Sequence, residues 1–130
     1  MQGMNRELKP SGVAAPAANY ALGVVAYSPD VLVHTSGIVP TRADGSVPDD
    51  LGEQAATVWS TIAALLADAQ LTMSDIVSVT TYVVDGQELP AVMAARDAAM
   101  GGHRAASTLI VVPRLARPEW LMEIAVVAAR

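Results

Sequence analysis

The nine residues from Trp120 to Ala128, WLMEIAVVA, constrain this chain more than any other stretch. In an extended segment alternate side chains point to opposite faces. Here both sets are apolar, with Leu121, Ala125 and Val127 on one side and Trp120, Met122, Ile124, Val126 and Ala128 on the other. A strand of that kind is buried on both faces, so the sheet that holds it needs a covering layer above and below.

The chain has two helices with which to provide those layers. From Glu53 to Ala69 the apolar positions Ala55, Val58, Trp59, Ile62, Leu65, Leu66 and Ala69 recur at the spacing of one helix face. A second helix, about Glu88 to Met100, carries Leu89, Val92, Met93 and Met100, has Pro90 in its first turn, and ends at Gly101-Gly102. Between them Asp75 to Val84 is β-branched and reads as a buried strand. Ser107 to Val112 and Trp120 to Ala128 read as two more strands.

Upstream, Ala21 to Tyr27 and Val31 to Ser36 are short apolar runs joined by Ser28-Pro29-Asp30, which predicts a hairpin. Residues 1 to 19 form an extended entry segment or a first edge strand, and 37 to 52 form a loop with a turn at Asp44-Gly45. The order is ββ, helix, β, helix, ββ. Two helices cannot enclose a sheet on both sides, so the expected fold is a two-layer α+β domain spanning 1–130, with both helices on one face. The other face then needs a partner, and a second copy of the chain is the simplest one.

Composition excludes several function classes. A net charge of -5 gives no electrostatic footprint for nucleic acid. With no cysteine there is no disulfide, thiolate nucleophile or Cys-based metal site, and His34 and His103 fit no metal-ligand spacing. No Walker pattern and no strand-linked G-x-G-x-x-G cradles a phosphate. No cofactor or metal is expected. The amino terminus, MQGMNRELKPSG, lacks an apolar signal core and no apolar run is long enough to span a bilayer, so the expected location is the cytoplasm. With no Phe and 4% aromatic residues, small aliphatic side chains must fill the core.

Glu123 is the candidate reactive group. A carboxylate inside a doubly apolar strand must be paired, protonated, or solvated in a cleft, and groups so placed tend to be functional. His103-Arg104 follows a Gly-Gly loop and reads as its solvated end. Ser107-Thr108 opens a strand without a G-x-S-x-G elbow, so its hydroxyls serve the backbone or cross-strand neighbours. Tyr20 is a packed anchor or a ring lining a cleft. Arg96 lies among apolar residues of the second helix, its stem covering them and its head in water.

Taken in order, several pieces resemble the Rid family, also called YjgF/YER057c/UK114. They are Asn19-Tyr20-Ala21-Leu22-Gly23-Val24, Thr35-Ser36-Gly37-Ile38-Val39-Pro40, Gly45-Ser46-Val47-Pro48, Gln54-Ala55, the strand from Asp75 to Asp85, Arg114-Leu115 and Glu123-Ile124-Ala125. The resemblance implies a chorismate-mutase-like α+β fold with a mixed sheet, a homotrimer, and clefts between subunits in which a small molecule binds. It implies that Glu123 positions an attacking water and that Tyr20, Ser36, Gly37 and Ser107 line the substrate cleft. Ile38 stands where the motif usually has Gln. Counted back from Arg114-Leu115, the arginine that clamps a substrate carboxylate in deaminating members falls on Ser107. The implied function is a Rid-type hydrolase acting on a reactive small metabolite, differing from an ordinary 2-iminobutanoate deaminase. Alternatives are a metabolite-binding or regulatory module without catalysis, and an enamine or imine deaminase in which Arg104 replaces the missing arginine.

Overall fold

A computed structural model describes residues 4–130. Six strands and two helices follow in order: β1 (Met4–Glu7), β2 (Val24–Tyr27), β3 (Leu32–His34), α1 (Leu51–Asp68), β4 (Ile76–Val84), α2 (Leu89–Met100), β5 (Ala106–Val112) and β6 (Met122–Ala129). Four strands form one sheet in the order β3-β6-β4-β5, and β1 and β2 form a separate pair. β4 and β5 run parallel, whereas β6 is antiparallel to both of its neighbours, so the sheet is mixed. Parallel neighbours need a crossover connection, and α2 is that crossover. The result is the expected two-layer α+β architecture, with both helices on one face.

Local chemistry explains where α1 begins and ends. The Asp50 carboxylate accepts the Glu53 backbone N–H at 3.0 Å, satisfying one of the orphan donors of the first turn. At the far end Gln70 takes a left-handed conformation at φ 61°, and the Leu71 N–H returns to the Leu66 carbonyl at 2.8 Å. α2 carries Pro90 in its first turn and stops at Gly101, whose φ of 57° suits a residue without a side chain.

The core lies between the helices and the sheet. Val58, Ile62 and Leu66 of α1 meet Met122, Ile124, Val126 and Ala128 of β6 and Ile76, Val79 and Val83 of β4, all buried. Each fully buried aliphatic side chain contributes about 1.5 to 3 kcal/mol. Gln54 is a polar member of this interior. Its amide nitrogen donates to the Pro48 and Glu119 carbonyls, both at 2.8 Å, and its oxygen accepts the Leu121 N–H at 2.9 Å. One buried side chain thus ties α1 to the loop before it and to the segment that leads into β6. Among the described residues no helix is long and apolar enough to cross a membrane.

Two expectations are corrected. The hairpin between Ala21–Tyr27 and Val31–Ser36 does not form: β2 pairs with β1, Met4 lying opposite Tyr27, and β3 pairs with the outer edge of β6. Ser28, at φ 44°, and Pro29 turn the chain toward β6, where the Asp30 and Val31 N–H groups donate to the Arg130 carbonyl. The long central strand takes β3 as its edge, so the turn residues redirect the chain instead of closing a hairpin. Leu65, read as part of the buried stripe, is exposed because it sits at the margin of the arc defined by Ala55, Val58, Ile62 and Leu66.

Candidate functional site

Strand alternation decides which candidate residues can meet. On β6, Met122, Ile124, Val126 and Ala128 are buried beneath the helices, while Glu123, Ala125 and Val127 are half-buried on the helix-free face. Glu123 lies opposite Tyr82 of β4, and Tyr82 lies opposite Ile110 of β5, so these three share that face. Ser107 lies opposite Val79, which lies opposite the core residue Val126, so Ser107 faces the helices.

Glu123 is held against Gly37. The segment after β3 meets β6 through a reciprocal pair of backbone bonds between Ile38 and Ile124, at 2.7 and 3.1 Å. That pairing brings Gly37 beneath the carboxylate. A Cβ built on Gly37 would stand 2.5 Å from the Glu123 carboxyl carbon and 3.0 Å from its Cγ, with Oε2 nearer still. Glycine is therefore a requirement of close approach here. Ser36, beside it, is exposed. The carboxylate is half-buried, flanked by apolar strand, and available to a water or a ligand on the helix-free side.

The second group gathers on the other side of the sheet. Tyr20, α2 and the start of β5 enclose a pocket of about 300 Å³. Ala18, Leu89, Met93 and Leu109 supply apolar wall, and Tyr20, Ser107 and Arg96 supply the polar groups. The loop carrying Tyr20 is fixed by Ala21, whose N–H donates to the Ala105 carbonyl at 2.9 Å. The Tyr20 hydroxyl accepts the Ala17 N–H at 3.3 Å, which leaves its own proton free to donate. Arg96 is a correction to the sequence reading, which kept its head in water. The residue is 8% exposed, and its Nη1 reaches the Ser107 hydroxyl at 3.5 Å.

His103 and Arg104 are structural. A His103 ring nitrogen, Nε2, donates to the Ile76 carbonyl at 2.7 Å, so the loop histidine braces the start of β4. Arg104 Nη2 donates to the Tyr20 carbonyl at 2.6 Å and to Glu7 of β1 at 3.2 Å. The guanidinium thereby points at the β1 segment and does not line the Tyr20–Ser107 pocket. The candidate residues thus form two clusters, Ser36-Gly37-Glu123 and Tyr20-Ser107-Arg96, on opposite faces of one sheet. Among the described residues no three His, Asp or Glu side chains gather as a metal site would require.

Comparison with known proteins gives a consistent result. A family model described as Endoribonuclease L-PSP matches residues 12–130. Among solved structures, a protein of the conserved Rid family, YyfB from Yersinia pestis, is 29% identical with a TM-score of 0.86, over 97% of this chain and 98% of that one. A member of the YjgF/YER057c/UK114 family from Mycobacterium tuberculosis is 25% identical with a TM-score of 0.69, over 98% of this chain and 100% of that one. TdcF from Escherichia coli, solved with bound serine, shares the fold at 22% identity with a TM-score of 0.72, over 96% of this chain and 98% of that one. No curated protein sequence matches the chain.

Proposed function

We propose, because the chain belongs to the Endoribonuclease L-PSP family, the Rid or YjgF family, that it is a hydrolase of small reactive metabolites working in clefts between the subunits of a homotrimer. The observation that carries this reading is the Glu123 carboxylate seated over Gly37 in a strand that is otherwise apolar. A carboxylate fixed in that way is a general base for water, and the backbone beside Ser36 and Gly37 flanks the point of attack. The electrophile is the carbon of a protonated imine, either bound as such or formed when an enamine takes a proton from solvent at its β-carbon, and one water adds to it. Glu123 accepts one proton of that water as the oxygen bonds to carbon and returns it to the nitrogen; the C–N bond then breaks, ammonia leaves, and the adduct's hydroxyl proton goes to solvent as the carbonyl forms.

The helix-free face supports the assembly. Tyr82, Ala125 and Val127 are half-buried and Ile110 is exposed there, and a sheet whose central strand is apolar on both sides is covered most simply by further copies of itself. In the proposed trimer the ligand cleft joins Glu123 of one subunit to the Tyr20–Ser107 pocket of the next.

The test is turnover of a panel of small imines and enamines, with and without a carboxylate, by wild type and Glu123→Gln, alongside the oligomeric state. The reading expects a trimer that hydrolyses at least one class and loses about a hundredfold or more of that rate without the carboxylate. Undiminished turnover by Glu123→Gln would refute the mechanism. A trimer that turns over none of the panel while one metabolite raises its melting temperature would favour a binding module instead.

A further inference from the structure

The peptide group between Tyr20 and Ala21 is pinned at both of its polar atoms. Its N–H, which belongs to Ala21, donates to the Ala105 carbonyl at 2.9 Å. Its carbonyl, which belongs to Tyr20, accepts from Arg104 Nη2 at 2.6 Å. Two consecutive residues ahead of β5 therefore hold one peptide plane, and with it the backbone from which Tyr20 reaches the pocket beside α2. The same Nη2 donates to Glu7 Oε2 at 3.2 Å. A charged donor makes stronger hydrogen bonds than a neutral one, and this one joins the end of β1 to the residue that enters the pocket.

Little else holds the chain between those two acceptors. The Leu8 N–H donates to the Gly23 carbonyl at 2.9 Å, continuing the β1–β2 pairing by one step. Beyond it, residues 9–19 make no hydrogen bond to the rest of the protein among the described residues, and their only bonds run to Tyr20 itself. Most of the segment is exposed. It forms a loop with its ends drawn together, over a cavity of about 260 Å³ between Leu8, Val13, Pro16 and Leu22. A segment with few buried contacts and few hydrogen bonds opens locally at low cost. Without its clasp the loop has free volume to fall into and two exposed apolar side chains, Val13 and Leu22, to bury there.

We propose that Arg104, oriented by Glu7, is a positioning residue: it clasps the two ends of the loop and so sets where the Tyr20 ring and hydroxyl stand in the ligand cleft, without touching the ligand. The proposal rests on the reading of Tyr20 as a wall of that cleft. The Tyr20 hydroxyl keeps its proton for donation, so its placement governs how a ligand is held, while activation of water belongs to Glu123. A lysine at 104 would keep the charge but lose the planar fork, and with it the geometry that serves two acceptors at once.

Two readouts on the intact protein test this. In NMR spectra the Tyr20 ring of wild type is expected to show contacts with Met93 and Leu109. Arg104→Met, which keeps the apolar stem and removes the donors, should lose those contacts and exchange the Ala21 amide about tenfold faster, with Arg104→Lys intermediate. In steady-state kinetics on the panel of imines and enamines, Arg104→Met should raise KM about tenfold and leave kcat within about twofold. A double-mutant cycle separates positioning from general support of the fold: Tyr20→Ala raises KM, and adding Arg104→Met to it should raise KM no further. Unchanged Tyr20 contacts in Arg104→Met would overturn the proposal, as would additive effects in the cycle or a fall in kcat at constant KM. Should Arg104→Met not fold, Glu7→Ala decides, since it releases the guanidinium from its second anchor: Tyr20 contacts and Ala21 exchange identical to wild type reject the assignment. Arg104-dependent Tyr20 contacts in a protein that hydrolyses none of the panel would leave this inference standing and remove the hydrolase reading; hydrolysis with Tyr20 contacts indifferent to Arg104 would do the reverse.

Discussion

Replacing Gly37 with alanine separates the position of the Glu123 carboxylate from the stability of the fold. The new methyl would lie 2.5 Å from the carboxyl carbon, whereas ordinary contact begins at 3.4 Å, so that carbon has to retreat by about 0.9 Å and the nearer oxygen, Oε2, by more. Gly37 does not have a positive φ, so alanine is allowed by the backbone and the strain falls on the far end of a flexible side chain. Driving a side chain partly off its rotamer costs about 0.5 to 1.5 kcal/mol. Against this, alanine stabilises by about 0.4 to 1 kcal/mol through the unfolded chain. The net change should stay within about 1 kcal/mol, or about 4 °C in melting temperature. A misplacement of about 1 Å in a catalytic group can lower a rate by about a hundredfold. The expected result is therefore a normal melting curve with a loss of about a hundredfold in kcat on whichever imine or enamine the wild type hydrolyses. Retention of full turnover would refute the idea that glycine sets the carboxylate's position. A loss of more than about 3 kcal/mol of stability would refute it differently, because the side chain would then be wedged in place rather than movable.

Two further predictions concern the scaffold. Gln54→Leu keeps the volume but strands the Pro48 and Glu119 carbonyls and the Leu121 N–H; a loss of about 3 kcal/mol is expected in urea unfolding, and a change below about 1 kcal/mol would show that these groups find other partners. Asp44 accepts from the Ser46 hydroxyl at 2.6 Å and from its N–H at 2.9 Å, and these bonds, with Arg42 nearby, hold its carboxyl below the usual aspartate range. A depressed value in the folded state makes its contribution complete above the unfolded value and lost as pH falls through the folded one. Melting temperatures of wild type and Asp44→Asn should therefore converge in acid, and a gap that persists at the lowest pH would contradict this account.

Periodicity carries information about faces, and the sequence was legible to that extent. The stripe of Ala55, Val58, Trp59, Ile62 and Leu66 is buried as its spacing requires, and the two apolar sets of β6 mark the two faces of the central strand. Alternation does not say which strands are neighbours. β3 and β6 pair across almost the whole chain, and nothing near Ser28 or Pro29 reveals that the turn leads there instead of back to β2. The candidate site was legible where a residue contradicts its surroundings, as Glu123 does. Gly37 took its meaning from a family resemblance, and the structure adds the close approach that demands it. Arg96 was missed because an arginine in an amphipathic helix reads as a snorkelling side chain. One signal was present: it shares a helical stripe with Leu89 and Met93 and so faces the sheet. The bond from Arg104 to Glu7 joins residues at opposite ends of the chain, and no local pattern encodes it.

The placement of Ser107 and Glu123 on opposite faces of one sheet has a genetic consequence. In the proposed trimer each cleft draws Ser107 from one chain and Glu123 from its neighbour, so a Ser107→Trp chain, its pocket filled, and a Glu123→Gln chain carry their defects in different halves. Neither alone could form a complete cleft, yet random co-assembly in equal amounts would restore about a quarter of the clefts to wild-type composition. Two inactive alleles would complement each other inside a single oligomer, whereas two defects in the same half, such as Ser107→Trp in one chain and Tyr20→Ala in the other, would leave no cleft complete.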